Sequence, residues 1–330
     1  MNTINTKLRE KNSLTKLSIL IFVLLIFIIV PPFIGGYWLH TLILFTINIL
    51  LVQSFMLITT TGRWNFAHIV FMGLGGYTSA LLGIQFFNLP FWVLLPLGGL
   101  VATLVGLVLS YPLLRTKGWY FFLASYAAGE AIRQAWIRFE FPFRAYWGIS
   151  DIPRPEFPGV EFNSLNYYYL VLFFVFLCVF ILYWLNKSRI GDTLRAISSN
   201  EDLCKSVGIN TRGYSTLAFV VGCFFAGITG VLWAHYTRMV TPMDFAITFM
   251  FRVVAWAIVG GIHTFIGPII GLLTMTVITE VFRDMLEWLP LIYGLFVIGI
   301  LLFLPTGLES LPGRISPFLA RIKLQFRRNR

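Results

Sequence analysis

Two pairs of opposite charges interrupt otherwise apolar stretches of this sequence. Glu130 precedes Arg133 by three positions, and Glu280 precedes Arg283 by the same spacing. Residues three apart lie on one face of an α-helix, so each pair can form an ion pair that lowers the cost of burying both charges. An ionisable residue within a membrane marks a solute pathway by default, which makes Glu130 a candidate. The alternative for both pairs is an ion pair that only fixes the helix in place.

A glycine-rich segment near residue 75 carries a second group of polar residues. Its glycines form a small-residue face, which lets two helix backbones approach closely. If the helix breaks here instead, its free N–H groups can receive the carboxylate of a solute. Both interpretations stay open from the sequence. The candidate pathway residues of this segment are Asn65, His68, Gly75, Gly76, Tyr77 and Thr78.

A second glycine-rich interruption falls inside the apolar stretch 247–283. Gly260 and Gly261 are followed by Gly267 and Pro268. This pattern permits two tilted or broken helices in place of one straight span, because non-helical backbone at membrane depth is tolerated where it lines a cavity. Gly260, Gly261 and Thr264 are therefore candidate pathway residues as well.

The apolar stretches that position these residues have the length of membrane spans. The chain has 330 residues, of which 58% are hydrophobic and 12% are charged, whereas a soluble domain has about 25% charged residues. Apolar blocks recur from Leu17 to Leu304, and a span needs about 20 residues. We predict an all-α, polytopic membrane helix bundle of about ten transmembrane spans, with at least one broken or re-entrant helix.

The net charge of +11 predicts how the chain is oriented in the membrane. Lys and Arg lie at the ends of apolar blocks and not beside a soluble core, which argues against a nucleic-acid partner and favours the lipid bilayer. Such residues concentrate on the cytoplasmic side, so both termini are predicted to be cytoplasmic. The predicted divisions are an N-terminal arm at 1–16, a transmembrane domain at 17–311 with an extracytoplasmic loop at 139–166 and a cytoplasmic loop at 187–213, and a basic cytoplasmic tail at 312–330.

Several chemical signatures are absent from the sequence. It contains no phosphate-binding G-x-x-x-x-G-K-[ST] loop, no H-E-x-x-H and no G-x-S-x-G. Its three cysteines include no C-x-x-C pair, and His235 and His263 are isolated, so no metal site or cofactor is predicted. An integral-membrane enzyme, which would need clustered His, Asp or Glu at one depth, is the alternative of another class. We predict a protein that is not an enzyme and takes any energy from another subunit.

The polar stretch 187–213 is too polar for the hydrocarbon and is predicted to form two short helices. Asn200 is a suitable N-cap for the second helix, and Gly208 can end it. Leu203 and Val207 form an apolar side that can enter a groove on a soluble partner, while the alternative is a helix resting on the membrane surface. The candidate coupling residues are Gly191, Leu194, Arg195, Ala196, Glu201, Asp202, Leu203, Val207 and Gly208.

Four segments, together with Gly129–Glu130, resemble the LivM-type permeases of branched-chain amino-acid ABC importers. They are residues 114–121 (LRTKGWYF), 147–155 (WGISDIPRP), 188–209 (beginning SRIGDTLRAI) and 259–268 (VGGIHTFIGP). The resemblance extends from about Leu50 to Leu311. Trp147 stands where the family has Asn, and His263-Thr264 stand where it has Gly-Ser.

This resemblance implies a heteromeric importer in the inner membrane of a bacterium or archaeon. The chain would form half of the translocation pathway for branched-chain amino acids and dock one ATPase subunit through the 187–213 loop. Its implied partners are a second permease of the same family, two ATPase subunits, which bind the ATP, and an extracytoplasmic solute-binding protein. Two alternatives stay open from the sequence, namely an ABC permease for urea or a short amide and a passive channel.

Overall fold

The computed structural model describes residues 25–155, 163–304 and 306–310. The predicted arm 1–16, the tail 312–330 and most of the predicted first span lie outside these residues. The described helices are α1 (Gly36–Thr59), α2 (His68–Ala80, continued by a π-helix at Leu81–Phe86), α3 (Phe91–Leu113), α4 (Trp119–Arg138), α5 (Ser164–Lys187), α6 (Arg189–Ser199), α7 (Glu201–Ser206), α8 (Thr211–Thr237), α9 (Ile247–Gly260), α10 (Gly267–Val281) and α11 (Leu289–Phe303). Single 3-10 turns lie at Pro31–Phe33, Ala145–Trp147, Arg283–Trp288 and Leu308–Ser310.

The described chain is an all-α membrane helix bundle, as predicted from composition. Six of its helical segments are long and apolar enough to cross a membrane, namely α1, α2 with its π-helical extension, α3, α5, α8 and Leu289–Ser310. The shorter apolar helices α9 and α10 follow one another across the glycine-rich break that the sequence predicted. The protein is therefore a multi-pass membrane protein. The count of about ten spans stays a prediction.

Helices α1, α2 and α8 form the centre of the bundle, and glycines set their spacing. A Cβ atom on Gly75 would lie 2.0 Å from the Gly227 carbonyl oxygen, and one on Gly230 would lie 1.8 Å from the Met72 carbonyl oxygen. Backbone therefore touches backbone where α2 meets α8. This is the small-residue packing that the sequence allowed as one interpretation of the 73–80 segment.

Two opposite faces of the bundle are defined by the loops that meet there. At one face, which we name the α6–α7 face, Arg63 and Lys117 contact the loop of α6 and α7. At the other, a short antiparallel sheet joins β1 (Ile149–Ser150) to β2 (Met239–Val240), with Ile149 opposite Val240. We name it the β face. Helix α8 runs from the first face to the second, so loops that precede and follow it lie on opposite sides of the bundle.

Candidate functional site

The α6–α7 loop is built by two local caps. The Ser188 hydroxyl accepts a hydrogen bond from the Ile190 N–H at 3.2 Å, and the Asn200 side chain accepts one from the Leu203 N–H at 2.9 Å. Gly208, with φ +84°, then ends the second helix. The cap at Asn200 and the stop at Gly208 are as predicted. Helix α6 begins at Arg189, because Ser188 supplies its cap.

Gly191 makes the sharp corner between α5 and α6. A Cβ atom there would lie 2.0 Å from the Asn186 carbonyl oxygen, so only glycine fits. One side of the loop faces the bundle, where Leu194, Ile197 and Cys204 are buried. The α6–α7 loop is thus packed against the membrane helices through these buried side chains.

A cluster of charges fixes α7 to three other parts of the bundle. Glu201 accepts from Arg63 at 3.0 Å and from Lys205 at 3.0 Å, and Lys117 lies 4.0 Å away. Lys117 also pairs with Asp202 at 3.4 Å. The Arg63 side chain is only 6% exposed and donates a second bond to Ser215 of α8 at 2.7 Å. Glu201 therefore connects the loops that precede α2 and α4 with the start of α8.

The electrostatics of the cluster favour the ionised carboxylates. Burial raises the pKa of Glu201, but the hydrogen bond from Lys205 and the charges of Arg63 and Lys117 outweigh it, so the pKa lies below its ordinary value. The pKa of Asp202 is lowered too, first by its hydrogen bond with Lys117. Glu201 and Asp202 thus stay charged at neutral pH, and the attachment of α7 is present throughout that range.

The other side of the loop carries exposed apolar groups. Leu203 of α7 is 61% exposed, and Val207, the residue that directly follows α7, is 69% exposed. Arg195 and Ala196 of α6 are exposed as well, and Arg195 pairs with Asp192 at 2.8 Å. An apolar pair surrounded by charged side chains is the arrangement expected of a surface that enters a groove on a partner.

A polar cavity of about 340 Å³ lies between α6 and the α9–α10 break. Its wall includes Arg195 and Ser198 from α6, Gln53 from α1, and His263 and Thr264 from the break. Gln53 donates a hydrogen bond to the Phe265 carbonyl oxygen at 2.8 Å. The cavity therefore separates the predicted coupling helix from the predicted pathway residue Thr264, and any movement of α6 toward the bundle reduces its volume.

The α9–α10 break is held by a carboxylate that sequence reasoning missed. Glu309 accepts hydrogen bonds from the backbone N–H groups of His263 at 3.2 Å and Thr264 at 3.0 Å, and from the Thr264 hydroxyl at 2.5 Å. Gly260 and Gly267 make close backbone contact across the break, where a Cβ on Gly260 would lie 1.9 Å from the Gly267 carbonyl oxygen. Since Glu309 is more than 40 residues away along the chain, no local pattern connects it to the break.

The predicted polar residues around α2 are buried in the bundle. Asn65 and His68 are 0% and 1% exposed, and the His68 ring is 2.9 Å from the Ser54 hydroxyl. The Thr78 hydroxyl donates to the Leu74 carbonyl oxygen at 2.6 Å. Among these predicted residues, three buried polar atoms have no partner within the described ranges, namely Asn65 Nδ2, His68 Nδ1 and the Tyr77 hydroxyl.

The two predicted charge pairs differ in the structure. Arg133 donates two hydrogen bonds to Glu130, at 2.8 and 2.6 Å, and Gln134 donates a third at 2.6 Å. Glu280 instead accepts from Tyr37 at 2.5 Å, while Arg283 stacks 4.0 Å from the Tyr37 ring centroid. The second pair does not form because α10 ends at Val281, so Arg283 does not follow Glu280 on one helix face.

The candidate residues therefore occupy separate places. The predicted coupling residues lie together at the α6–α7 face, beside the cavity and the break with Gly260, Gly261 and Thr264. Gly75 and Gly76 lie in the α2–α8 contact, and Glu130 lies on α4. Their role in a solute pathway stays a prediction.

Comparison with known proteins bears on this arrangement. A sequence profile of the family described as "Branched-chain amino acid transport system / permease component" matches residues 37–305. The high-affinity branched-chain amino acid transport system permease protein LivM of Escherichia coli K12 is 29% identical over 262 residues, covering 72% of this chain and 61% of that relative. LivM of Salmonella typhimurium is 28% identical with the same coverage. The permease protein LivH of Escherichia coli K12 is 31% identical over 140 residues, covering 41% of this chain and 43% of that relative.

No solved structure gives a significant match to the chain. The chain spans about three fifths of the length of its LivM relatives. The family profile nevertheless covers the bundle from the first turn of α1 to just beyond α11, and so includes the α6–α7 loop and the α9–α10 break. The chain belongs to the branched-chain amino acid transport system permease family.

Proposed function

We propose that this protein is the permease subunit of an ABC importer for branched-chain amino acids, forming half of the translocation pathway and docking one ATPase subunit. The observation that carries the proposal is the α6–α7 loop, whose inner side is fixed by Glu201 to Arg63 and Lys117 while Leu203 and Val207 are exposed. The relatives named above supply the solute class. The partners are a second permease of the family, two ATPase subunits and an extracytoplasmic solute-binding protein.

The proposed orientation places the α6–α7 face in the cytoplasm and the β face outside. Arg63, Lys117 and the α6–α7 loop share one face, and that loop is rich in basic residues. Concentration of Lys and Arg at one face is typical of the cytoplasmic side. With about ten crossings, both termini are then cytoplasmic, in the inner membrane of a bacterium or archaeon.

The charge cluster suggests how force would reach the membrane helices. ATP-driven closure of the two ATPase subunits would push α7, and Glu201 would transmit the displacement to Arg63 ahead of α2 and to Lys117 ahead of α4. Because Arg63 also bonds Ser215, the start of α8 would move with them. Such rigid-body rocking would exchange outward access for inward access. Its direction requires that ATP bind the two states with different affinity.

The test of docking is the double substitution Leu203→Asp with Val207→Asp in the complex co-expressed with its ATPase and second permease subunits. Loss of two apolar anchors is expected to reduce the ATPase retained on the purified permease at least tenfold, since interface anchors contribute about 2 kcal/mol or more. The thermal midpoint of the permease should stay within about 2 °C, because both side chains are exposed. The matched control, Leu203→Met with Val207→Ile, keeps the apolar surface and should retain the ATPase. Wild-type retention in the Asp variant would refute the docking role.

A further inference from the structure

The outward-facing surfaces of most peripheral helices are those expected against lipid. The exposed large side chains of α3, α5 and α11 are apolar or aromatic, such as Leu104, Phe173 and Leu295. Helix α9 is different, because its exposed positions include Thr248 and Arg252 as well as Phe251. A charged residue facing outward from a membrane helix is costly against lipid and usually faces a polar pathway.

Arg252 has no anionic partner within the described ranges. Its guanidinium lies 4.8 Å from the centroid of the Phe249 ring on its own helix, and no carboxylate or carbonyl oxygen among the described residues accepts from it. Arg133 of α4, by contrast, donates two hydrogen bonds to Glu130. Arg252 is thus a cation on an apolar helix without an anionic partner among the described residues.

The N-terminal half of helix α9 lies at the level of α4. Before the helix begins, Met243 is 4.0 Å from Arg133, which lies more than a turn below the β-face end of α4. Next to Arg252, the ring of Phe251 is 5.7 Å from that of Phe66, close to the first turn of α4. Side chains on a helix point toward its N-terminus, so Arg252 points away from the α6–α7 face.

Three successive turns of α9 present hydrogen-bond donors along one side. Thr248, Arg252 and Trp256 are spaced by four residues, so they lie within one helical stripe. The indole nitrogen of Trp256 is buried without an acceptor, although Trp256 is only 5% exposed. The Thr248 hydroxyl also lacks an acceptor among the described residues. A guanidinium and an indole N–H donate only, and such a set is complementary to a carboxylate, which when ionised only accepts.

We propose that this stripe binds the carboxylate of the transported amino acid during translocation, with Arg252 as the residue that determines specificity for a carboxylate over a neutral amide. The proposal rests on the proposed function of the chain as an amino-acid permease. It places the solute pathway beside α9, and it distinguishes an amino acid from urea or a short amide, which offer no negative charge to the guanidinium.

The experiment uses the reconstituted complex of all subunits with leucine as the probe. Arg252→Gln is expected to lower leucine uptake at least tenfold, whereas Arg252→Lys, which keeps a cation, should retain a larger fraction. In thermal unfolding of the complex, millimolar leucine should raise the midpoint of the wild type and leucinamide should not, and Arg252→Gln should abolish the leucine effect. Arg138→Gln removes the same charge from the exposed end of α4 and serves as the matched control.

Three results would overturn the inference. The first is leucine uptake by Arg252→Gln at the wild-type rate, and the second is an equal midpoint shift of the wild type with leucinamide. The third is loss of the second permease from the purified Arg252→Gln complex, which would show that Arg252 pairs with that subunit instead. If Arg252→Gln does not accumulate in the membrane, Arg252→Lys is measured in its place. A thermal midpoint of Arg252→Lys that leucine does not raise would overturn the inference. A wild-type complex that imports no amino acid refutes the proposed function, and this inference with it.

Discussion

Gly230→Ala is expected to prevent the native packing of the bundle. The added methyl group would lie 1.8 Å from the Met72 carbonyl oxygen and 2.8 Å from the Gly76 nitrogen, and both are backbone atoms. Backbone cannot rotate out of the way as a flexible side chain can, so α2 and α8 must separate. Overpacking a well-packed core costs about 1–3 kcal/mol and occasionally more. We expect the upper end of this range, since the separation also breaks the adjacent Gly75–Gly227 contact.

The measurement is the yield of monodisperse protein and its thermal midpoint in detergent. Gly294→Ala is the matched control, because a Cβ atom at this position of α11 meets nothing within 4 Å. We expect the Gly230 variant to be largely aggregated and the Gly294 variant to behave as the wild type. Equal yields and midpoints for the two variants would show that α2 and α8 do not meet through Gly230.

Glu201→Ala is expected to abolish leucine uptake while the helix bundle stays folded. The substitution leaves the Arg63 guanidinium, whose side chain is 6% exposed, without its carboxylate. Removing one partner of a buried pair costs about 3–5 kcal/mol. We expect the lower end here, because Glu201 itself is 20% exposed and Ser215 still accepts from Arg63. This free energy is lost from the contact between α7 and the bundle. The α6–α7 loop should therefore detach from the loops that precede α2 and α4.

Hydrogen exchange and transport together measure this outcome. Amides of 200–207 should exchange at least tenfold faster in Glu201→Ala, while leucine uptake falls and ATP hydrolysis by the complex continues. Asp192→Ala is the control, because Asp192 is exposed and its pair with Arg195 is a surface pair worth less than about 1 kcal/mol. Unchanged exchange at α7 in the Glu201 variant would contradict the role of the cluster.

The sequence predicted those features that depend on neighbouring residues. The cap at Asn200 and the stop at Gly208 define α7 because the hydrogen bonds involved span three or four residues. The break between α9 and α10 follows in the same way from glycine pairs and a proline, and uncharged stretches locate the helices because burying a charge in hydrocarbon is costly.

Contacts between distant residues could not be predicted in this way. Arg63 and Glu201 are 138 positions apart, and Glu309 meets Thr264 across 45 positions. Both contacts form only when the helices pack together, so the periodicity of the sequence does not predict them. The expected pairing of Glu280 with Arg283 was wrong for a related reason, since spacing gives the geometry only while the helix continues, and α10 ends at Val281.

The unpaired arginine at position 252 was visible in the sequence but could not be interpreted there. A single Arg in an apolar stretch can lie at a span end, pair with a distant carboxylate or face a pathway. The structure separates these cases, because it places Arg252 at an exposed position of α9, over the Phe249 ring and without a carboxylate partner among the described residues. The burial and the contacts of the arginine side chain therefore distinguish these roles, and both are properties of the packed bundle that the sequence does not give.

The side of the membrane on which α7 lies decides whether an ATPase can push it. The direct measurement is labelling of a cysteine at Leu203, in a variant in which Cys178, Cys204 and Cys223 are replaced by alanine, with a membrane-impermeant maleimide. The proposed function predicts labelling in inside-out vesicles stripped of ATPase, protection when the ATPase subunits are added back, and no labelling in right-side-out vesicles. Labelling of Leu203→Cys in right-side-out vesicles would place the loop outside the cell and contradict the account.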